Sequence, residues 1–325
     1  MAVIVSGMRP TGPLQLGNYF GALENWVTLQ NEAQCYFFIA DWHALTTGYE
    51  DTEKLKENSR MMVIDWLSAG IDPERSIIFR QSDLKEHAEL HLLFSMITPL
   101  SWLERCPTYK DQLQQLSDRN ITTYGFLGYP SLMAADILMY QPQFVPVGED
   151  QLPHLELARE IARRFNFLYG PVFPEPQAKL NKVTLLPGLD GRKMSKSYGN
   201  TISMSGDPDE IREKVPTMIT DPARARRKDP GDPGKCTVFT FHKIFSHEDE
   251  LPPIVQGCKS AGIGCVDCKK RLMENMIQKL DPIYRRRQEL EKQSGLVDEI
   301  LERGAGEARE VAQKTMTQVR EAMGL

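Results

Sequence analysis

No apolar run in this 325-residue chain approaches the length needed to cross a bilayer, and no excess of positive charge covers it as a whole. A membrane span needs about 20 predominantly apolar residues, so no membrane partner is expected. The N-terminal Met1-Ala2-Val3-Ile4-Val5-Ser6-Gly7 has no basic region ahead of its short apolar stretch, which argues against a secretory signal and for a cytoplasmic location. The formal net charge is −5, so any nucleic-acid surface must be local. Internal repeats and low-complexity tracts are also missing, which excludes a solenoid. Cysteine is sparse: of six, Cys35 in an apolar strand-like run and Cys106 beside Pro107 read as small core residues or inert thiols, reduced in a cytosol.

What is present is an ordinary globular composition, 41% hydrophobic and 26% charged, long enough for two domains. Short apolar runs at residues 2–7, 35–40, 76–79 and 144–147 read as buried strands. Helix-period segments at 16–32, 52–69, 84–96, 130–140 and 151–165 lie between and after them. That alternation predicts an α/β fold, a doubly wound parallel sheet of Rossmann-like type whose ligands bind beyond the carboxyl ends of the strands. Strand signals stop after the first two hundred residues, and 266–291 and 296–323 have helical periodicity. The expected organisation is therefore a catalytic domain over 1–201 and a C-terminal all-helical domain over 202–325, with a Pro/Asp/Gly-rich stretch at 221–234.

The most informative motif is Lys193-Met194-Ser195-Lys196-Ser197, just after Asp190-Gly191. A specified pentamer occurs by chance in such a chain roughly once in ten thousand, at about 5% usage per residue. Its two ammonium groups and two hydroxyls suit phosphates. The predicted strand ends carry complementary groups. After the first come Arg9-Pro10-Thr11-Gly12, then Gln15-Leu16-Gly17-Asn18, a Gly/Pro loop entering a helix that favours an anion. After the second comes Asp41-Trp42-His43. After the fourth come Gly148-Glu149-Asp150-Gln151, where Gly148 permits close approach and Asp150 suits a ribose hydroxyl.

Four further cysteines, Cys236, Cys258, Cys265 and Cys268, follow a C-x21-C-x6-C-x2-C pattern with glycines at 257, 262 and 264. Four thiolates at this spacing suit zinc or an iron–sulfur cluster equally well. They sit in the segment 258–287, where eight cations against three carboxylates leave +5, a solvated helix face or a local nucleic-acid surface. Arg224, Arg226, Arg227 and Lys228 are further phosphate candidates.

Together these motifs resemble the class I aminoacyl-tRNA synthetases and, within them, the tryptophanyl-tRNA synthetase family. The first class signature is matched by Gly7–Gly12 with Gln15-Leu16-Gly17-Asn18, and the second by Lys193–Ser197. Tyr129-Pro130-Ser131-Leu132-Met133-Ala134-Ala135-Asp136-Ile137-Leu138, Val147–Gln151, and Leu103-Glu104-Arg105 with Pro107-Thr108-Tyr109-Lys110 point to the tryptophan enzymes. Gln15 and Asn18 replace the two histidines of the usual His-x-Gly-His, leaving that signature uncharged.

The resemblance implies ATP-dependent activation of L-tryptophan to an adenylate and transfer to tRNA(Trp), by a homodimer, with Mg²⁺ accompanying ATP. It assigns Lys193 and Lys196 to pyrophosphate, with Gln15 and Asn18 as catalytic partners. Arg9, Pro10, Thr11, Gly17, Gly148, Glu149, Asp150, Met194, Ser195 and Ser197 join them as the ATP site. Asp136 becomes the acceptor for the indole N–H, since indole has one donor and no acceptor. Met133 lies one turn earlier, Tyr129 and Gln151 hold the amino group, and His43 lines the pocket. A subgroup of the family carries a [4Fe–4S] cluster on such a quartet, which favours the cluster over zinc and suggests a structural part in reading the anticodon. Two rival readings are a tyrosine enzyme of the same superfamily and an iron–sulfur RNA-binding or redox-sensing protein with a degenerate synthetase core.

Overall fold

The structure is a computed structural model that describes residues 2–115, 121–180 and 186–325; the side chains of Gln112, Gln115 and Ser197 are outside the description, and with the last of them one hydroxyl of the lysine-rich motif. Five parallel strands form one sheet in the order β3-β2-β1-β4-β5: β1 (Val3–Met8), β2 (Gln34–Ile39), β3 (Ser76–Arg80), β4 (Phe144–Val147) and β5 (Gln177–Leu180). β1 pairs with β2 from Val3 opposite Gln34 to Met8 opposite Ile39, and with β4 on its other side. The chain therefore reverses its winding between β1 and β4, which is where a doubly wound sheet opens a ligand crevice.

Both faces of the sheet are covered, as an all-parallel sheet requires. Ile4, Cys35, Phe37, Ile39 and Ile78 point to one face, and Val5, Tyr36, Phe38, Phe79, Val145 and Val147 to the other. On the first face Trp26 stacks on Phe37 at 4.5 Å and meets Trp66 edge-on at 5.3 Å. These aromatics anchor the entry helix and the helix Leu55–Ala69. On the second face lie the helices Glu86–Ile97, Tyr124–Leu138 and Leu152–Tyr169.

Two features differ from the sequence reading. β5 is a short, mostly exposed edge strand of sequence Gln-Ala-Lys-Leu, with no apolar run to announce it. The helix expected over 16–32 begins as a single α turn at Leu16–Asn18, widens into a π-helical stretch at Tyr19–Leu23 and resumes as α-helix at Glu24–Leu29.

Beyond residue 202 the described chain is helical as expected, with long helices at Cys265–Glu291 and Leu296–Met323. Its core is nevertheless continuous with that of the sheet: Ile202, Met204, Phe241, Leu272 and Leu280 share one cluster with Leu16, Trp26 and Trp66. The last helix is the strongest tie. Its first turns place Val297, Ile300 and Leu301 against one face of the sheet, and its later turns place Ala305, Ala308 and Ala312 against the other. It thus straddles the free edge of β3, and the crossing point is Gly304. A Cβ there would lie 1.9 Å from the carbonyl oxygen of Ile78, closer than any side chain tolerates. Covering a sheet edge with a helix protects its backbone groups from other chains.

The contact yields a paired expectation. Gly304→Ala should force the helix off β3 and cost at least 2 kcal/mol, in the range of overpacked core sites. Gly306→Ala, in the same helix with open space around its Cβ, should add about 0.5–1 kcal/mol through helix propensity. Urea unfolding of both variants checks the opposite signs.

Candidate functional site

The carboxyl ends of β1 and β4 flank the crevice. The loop leaving β1 turns at Gly12, whose φ of 118° suits glycine, and a Cβ there would sit 3.2 Å from the Lys196 ammonium. Asp65, buried in the helix Leu55–Ala69, holds this loop from below: its Oδ2 accepts from the Leu14 N–H at 3.3 Å, and its Oδ1 pairs with Arg287 of the long C-terminal helix. At the helix start the Gln15 backbone N–H donates to Asn18 Oδ1 at 3.1 Å, so one of the two residues in place of histidines is a cap. The other is a clasp, since Gln15 Nε2 donates to the Met194 carbonyl at 3.4 Å.

Met194 is the buried member of the lysine-rich motif and lies over Gly17, while Lys193 is exposed. Burial lowers the pKa of Lys196. The loop's shape comes from a residue that the sequence reading missed. Asn200 is 3% exposed, and its Nδ2 donates to Asp190 Oδ1 at 2.7 Å and to the Lys193 carbonyl at 3.2 Å. Its Oδ1 accepts from the Ser195 N–H at 2.8 Å. One amide thereby fixes both flanks of Met194. Lysine-rich loop and signature loop lie in contact; Arg9 and Thr11 are exposed and Pro10 is buried.

On the other side of β1, the chain after β2 and the helix Tyr124–Leu138 meet. Asp136 is 1% exposed and takes three donors: His43 Nε2 on Oδ2 at 2.8 Å, His87 Nδ1 on Oδ1 at 2.7 Å, and Gln81 Nε2, 2.8 Å from both oxygens. Burial alone would raise its pKa, but hydrogen bonds from His43 and His87 bring it down to about 2, so it is ionised. The Tyr140 hydroxyl lies 2.8 Å from His87 Nε2. Burial holds Tyr140 well above the ordinary phenol range, so its hydroxyl keeps its proton. Asp136 is thus buried but already paired, because an unpaired buried carboxylate is costly and the fold supplies donors.

Of the residues named with Asp136, His43 bonds it directly and Tyr129 lies beside His43. His43 meets the Tyr129 ring edge-on at 6.5 Å, and Met133 is half-buried one turn before the aspartate. The Tyr129 hydroxyl lies 2.8 Å from His154 Nε2. Gln81, His87, Tyr140 and His154 were not foreseen. Only Gln81 carried a signal, since it directly follows β3. At the end of β4, Gly148 is extended, Glu149 and Asp150 are exposed, and Gln151 Nε2 donates to Asp150 Oδ2 at 3.2 Å.

The cysteine quartet is gathered but not closed. Cys236 precedes the helix Thr237–Phe245, Cys258 ends Leu251–Lys259, and Cys265 and Cys268 open Cys265–Glu291. All four thiols are free and partly buried. Burial first, and the three neighbouring thiols after it, push Cys268 up to about 12. Yet among the described residues no three His, Cys, Asp or Glu side chains converge closely enough to hold a metal ion. Cys268 Sγ instead lies 3.3 Å from His242 Nε2. The expected metal centre is therefore not assembled in this structure, although its donor chemistry is there.

The basic segment is also largely committed. Lys269, Lys279 and Arg286 donate to the carbonyls of Pro216, Ile244 and Ser68, and Arg285 and Arg287 pair with Asp281 and Asp65. Arg224 is buried, donating to the carbonyls of Arg227 and Ile263, so it is no phosphate ligand. Arg226, Arg227 and Lys228 remain exposed.

With this geometry in view, comparison with known proteins is specific. A family model described as tRNA synthetases class I (W and Y) matches residues 1–281. The chain is similar to a Thermotoga maritima protein named tryptophan–tRNA ligase, 55% identical over 324 residues and 99% of each chain. A Deinococcus radiodurans protein of that name is 45% identical, over all of this chain and 99% of its own. Among solved structures, tryptophanyl-tRNA synthetase from Campylobacter jejuni, complexed with ADP and tryptophan, is similar with a TM-score of 0.89 at 37% identity, covering 99% of this chain and all of that one.

His154 provides a pH test of the site. Burial lowers its pKa from 6.5 to about 4, so it stays neutral against Tyr129. The unfolded chain takes the proton first, so the associated stability is complete above about 6.5 and lost as pH falls toward 4. The unfolding free energies of the protein and of His154→Gln should therefore diverge with pH only inside that window, by up to about 1.4 kcal/mol per unit.

Proposed function

The chain belongs to the class I tRNA synthetases of the tryptophan and tyrosine type, and we propose from its site how it works as a tryptophan–tRNA ligase. The reaction joins tryptophan to ATP, releasing pyrophosphate, and then passes the aminoacyl group to tRNA(Trp). The observation that carries the substrate assignment is Asp136, ionised and buried beside Met133 and Tyr129 at the floor of the crevice. Indole brings one N–H and nothing to accept with, so a carboxylate acceptor selects it, whereas a phenol would call for a donor as well. Met133 lies where its polarizable sulfur contacts the ring. Tyr129 and Gln151 hold the amino group, and His43 lines the pocket.

When the tryptophan carboxylate attacks the α-phosphorus, charge builds on the phosphoryl oxygens and on the departing pyrophosphate. Catalysis is positioning and electrostatic stabilisation, with no covalent nucleophile. Lys193 and Lys196 meet that charge, and Mg²⁺ supplies further positive charge when it enters with ATP. Arg9, Pro10, Thr11, Gly17 and Asn18 line the nucleotide from the β1 side, with Met194, Ser195 and Ser197 opposite. Gly148, Glu149 and Asp150 take the ribose. Gln15 acts mainly by clasping the loop through the Met194 carbonyl.

The tRNA assignment extends to Arg226, Arg227 and Lys228 on phosphates, within a helical region over 202–325 that reads the anticodon, and to a homodimer in the cytoplasm. For the quartet we propose a structural [4Fe–4S] cluster held by Cys236, Cys258, Cys265 and Cys268. What supports it is the chemistry of four thiols free of disulfides at three helix ends. Binding would require Cys268 and Cys258 to give up their contacts with His242 and Arg224.

Tryptophan-dependent pyrophosphate–ATP exchange, with tyrosine and phenylalanine as controls, tests the enzyme; no exchange with tryptophan would overturn it. Lys196→Ala should lose roughly 10²–10³ in turnover, as removal of a transition-state donor does, and Gln15→Ala should lose less. Anaerobically purified protein should hold four iron and four sulfide and absorb broadly near ~400 nm. One zinc and no iron would replace the cluster with a zinc site.

A further inference from the structure

The three donors on Asp136 are not equivalent. Gln81 and His87 are both wholly buried. His87 is boxed by Phe38, Phe79 and Tyr140, with ring centroids 5.6–6.1 Å away. Its ring nitrogens are both engaged: Nδ1 faces the acceptor-only Asp136 carboxylate and so donates to it, and Nε2 lies 2.8 Å from the Tyr140 hydroxyl. Gln81 spans both carboxylate oxygens and also takes the Trp42 N–H on its Oε1 at 3.1 Å, so its amide orientation is set. These two donors cannot leave without unmaking buried hydrogen bonds.

His43 differs on each count. It retains 8% exposure, sits in the first turn of the helix Asp41–Gly48 that follows β2, and meets the Tyr129 ring edge-on. Its Nε2–H is the donor on Oδ2. A carboxylate has about four acceptor positions; Gln81 is shared equally between the two oxygens, so what distinguishes them is that the second donor on Oδ1 is the wholly buried His87 and the second donor on Oδ2 is His43. An incoming N–H is therefore best placed where His43 now donates.

We propose that His43 is a placeholder: in the free protein it satisfies Asp136 Oδ2, and the indole N–H takes its place when tryptophan binds. The inference rests on the reading of Asp136 as the indole acceptor. Binding then exchanges one charge-assisted hydrogen bond for another. An indole isostere without the N–H leaves His43 in place and forfeits little, so His43 limits the discrimination that a bare carboxylate would impose. The strong rejection of donor-free ligands expected from an unpaired acceptor is softened by the same residue that keeps the free site stable.

The test compares calorimetric binding of L-tryptophan and of its isostere β-(3-benzothienyl)-L-alanine, in which sulfur replaces the indole N–H. In the unmodified protein tryptophan should bind at most a few-fold more tightly than the isostere, at roughly the difference between two hydrogen bonds to a charged group. In His43→Ala the preference for tryptophan should increase about tenfold, the worth of one such bond; equal affinities in both proteins would sink the Asp136 reading itself. A clear preference that is unchanged or reduced in the variant would overturn the placeholder while leaving the Asp136 reading standing. Should His43→Ala fold poorly, the unmodified protein decides by nitrogen NMR of His43. Its Nε2–H should lose the carboxylate hydrogen bond on adding tryptophan and keep it on adding the isostere. Loss with both, or with neither, would refute the exchange.

Discussion

A carboxylate removed from water has to be met by the protein, and in this fold the one at Asp136 is met from three directions at once. Its donors come from the chain after β2, from the residue after β3 and from the helix that follows, while the aspartate itself comes from the helix before β4. Leaving such a charge unpaired would cost several kcal/mol. The requirement therefore ties the carboxyl ends of β2 and β3 to the helix Tyr124–Leu138. The aromatic shell of Phe38, Phe79 and Tyr140 around His87 lowers the local dielectric and strengthens those bonds.

The opposite wall is built on a different principle. The lysine-rich loop is shaped by neutral amides: Asn200 grips it on both sides of Met194, and Gln15 reaches across to the Met194 carbonyl. Neither carries charge, so both fix the backbone without competing for an anion. Lys196 reaches to within 3.2 Å of where a Cβ at Gly12 would lie, and the buried Met194 beside it anchors the loop between the two lysines. The first signature's lack of histidines fits this division, in which amides position and ammonium groups stabilise.

How much of this was legible in the sequence varied with the kind of interaction. β1 to β4 were read to within a residue or two because their buried runs are apolar on both faces. β5 escaped because an edge strand of alternating polarity needs no such run. The parallel sheet, the strand-end rule and the helical C-terminal region all followed from periodicity, and the strand-end rule led to His43 and the β1 and β4 loops. It would also have led to Gln81, had the residue after the third run been considered. His87, Tyr140, His154 and Asn200 were beyond reach, because each is defined by a partner distant in sequence or by a loop's shape. Cysteine spacing revealed a quartet but not whether the thiols converge, which depends on how three helix ends are set. The basic segment left two readings open for a related reason: charge counts do not reveal which cations are tethered to backbone carbonyls.

The crossing of the last helix over β3 also bears on how the molecule is made. Until the segment 296–323 leaves the ribosome, the outer edge of β3 has no cover, and the two faces of the sheet lack the residues on either side of Gly304 that close them. An uncovered parallel edge is an invitation to pair with another chain, and slow, non-local closure prolongs that exposure. The fold is thus completed from its far end. Synthesis of some three hundred residues precedes the one contact that seals the sheet, so a nascent chain of this protein is a natural client for any factor that shields strand edges during translation.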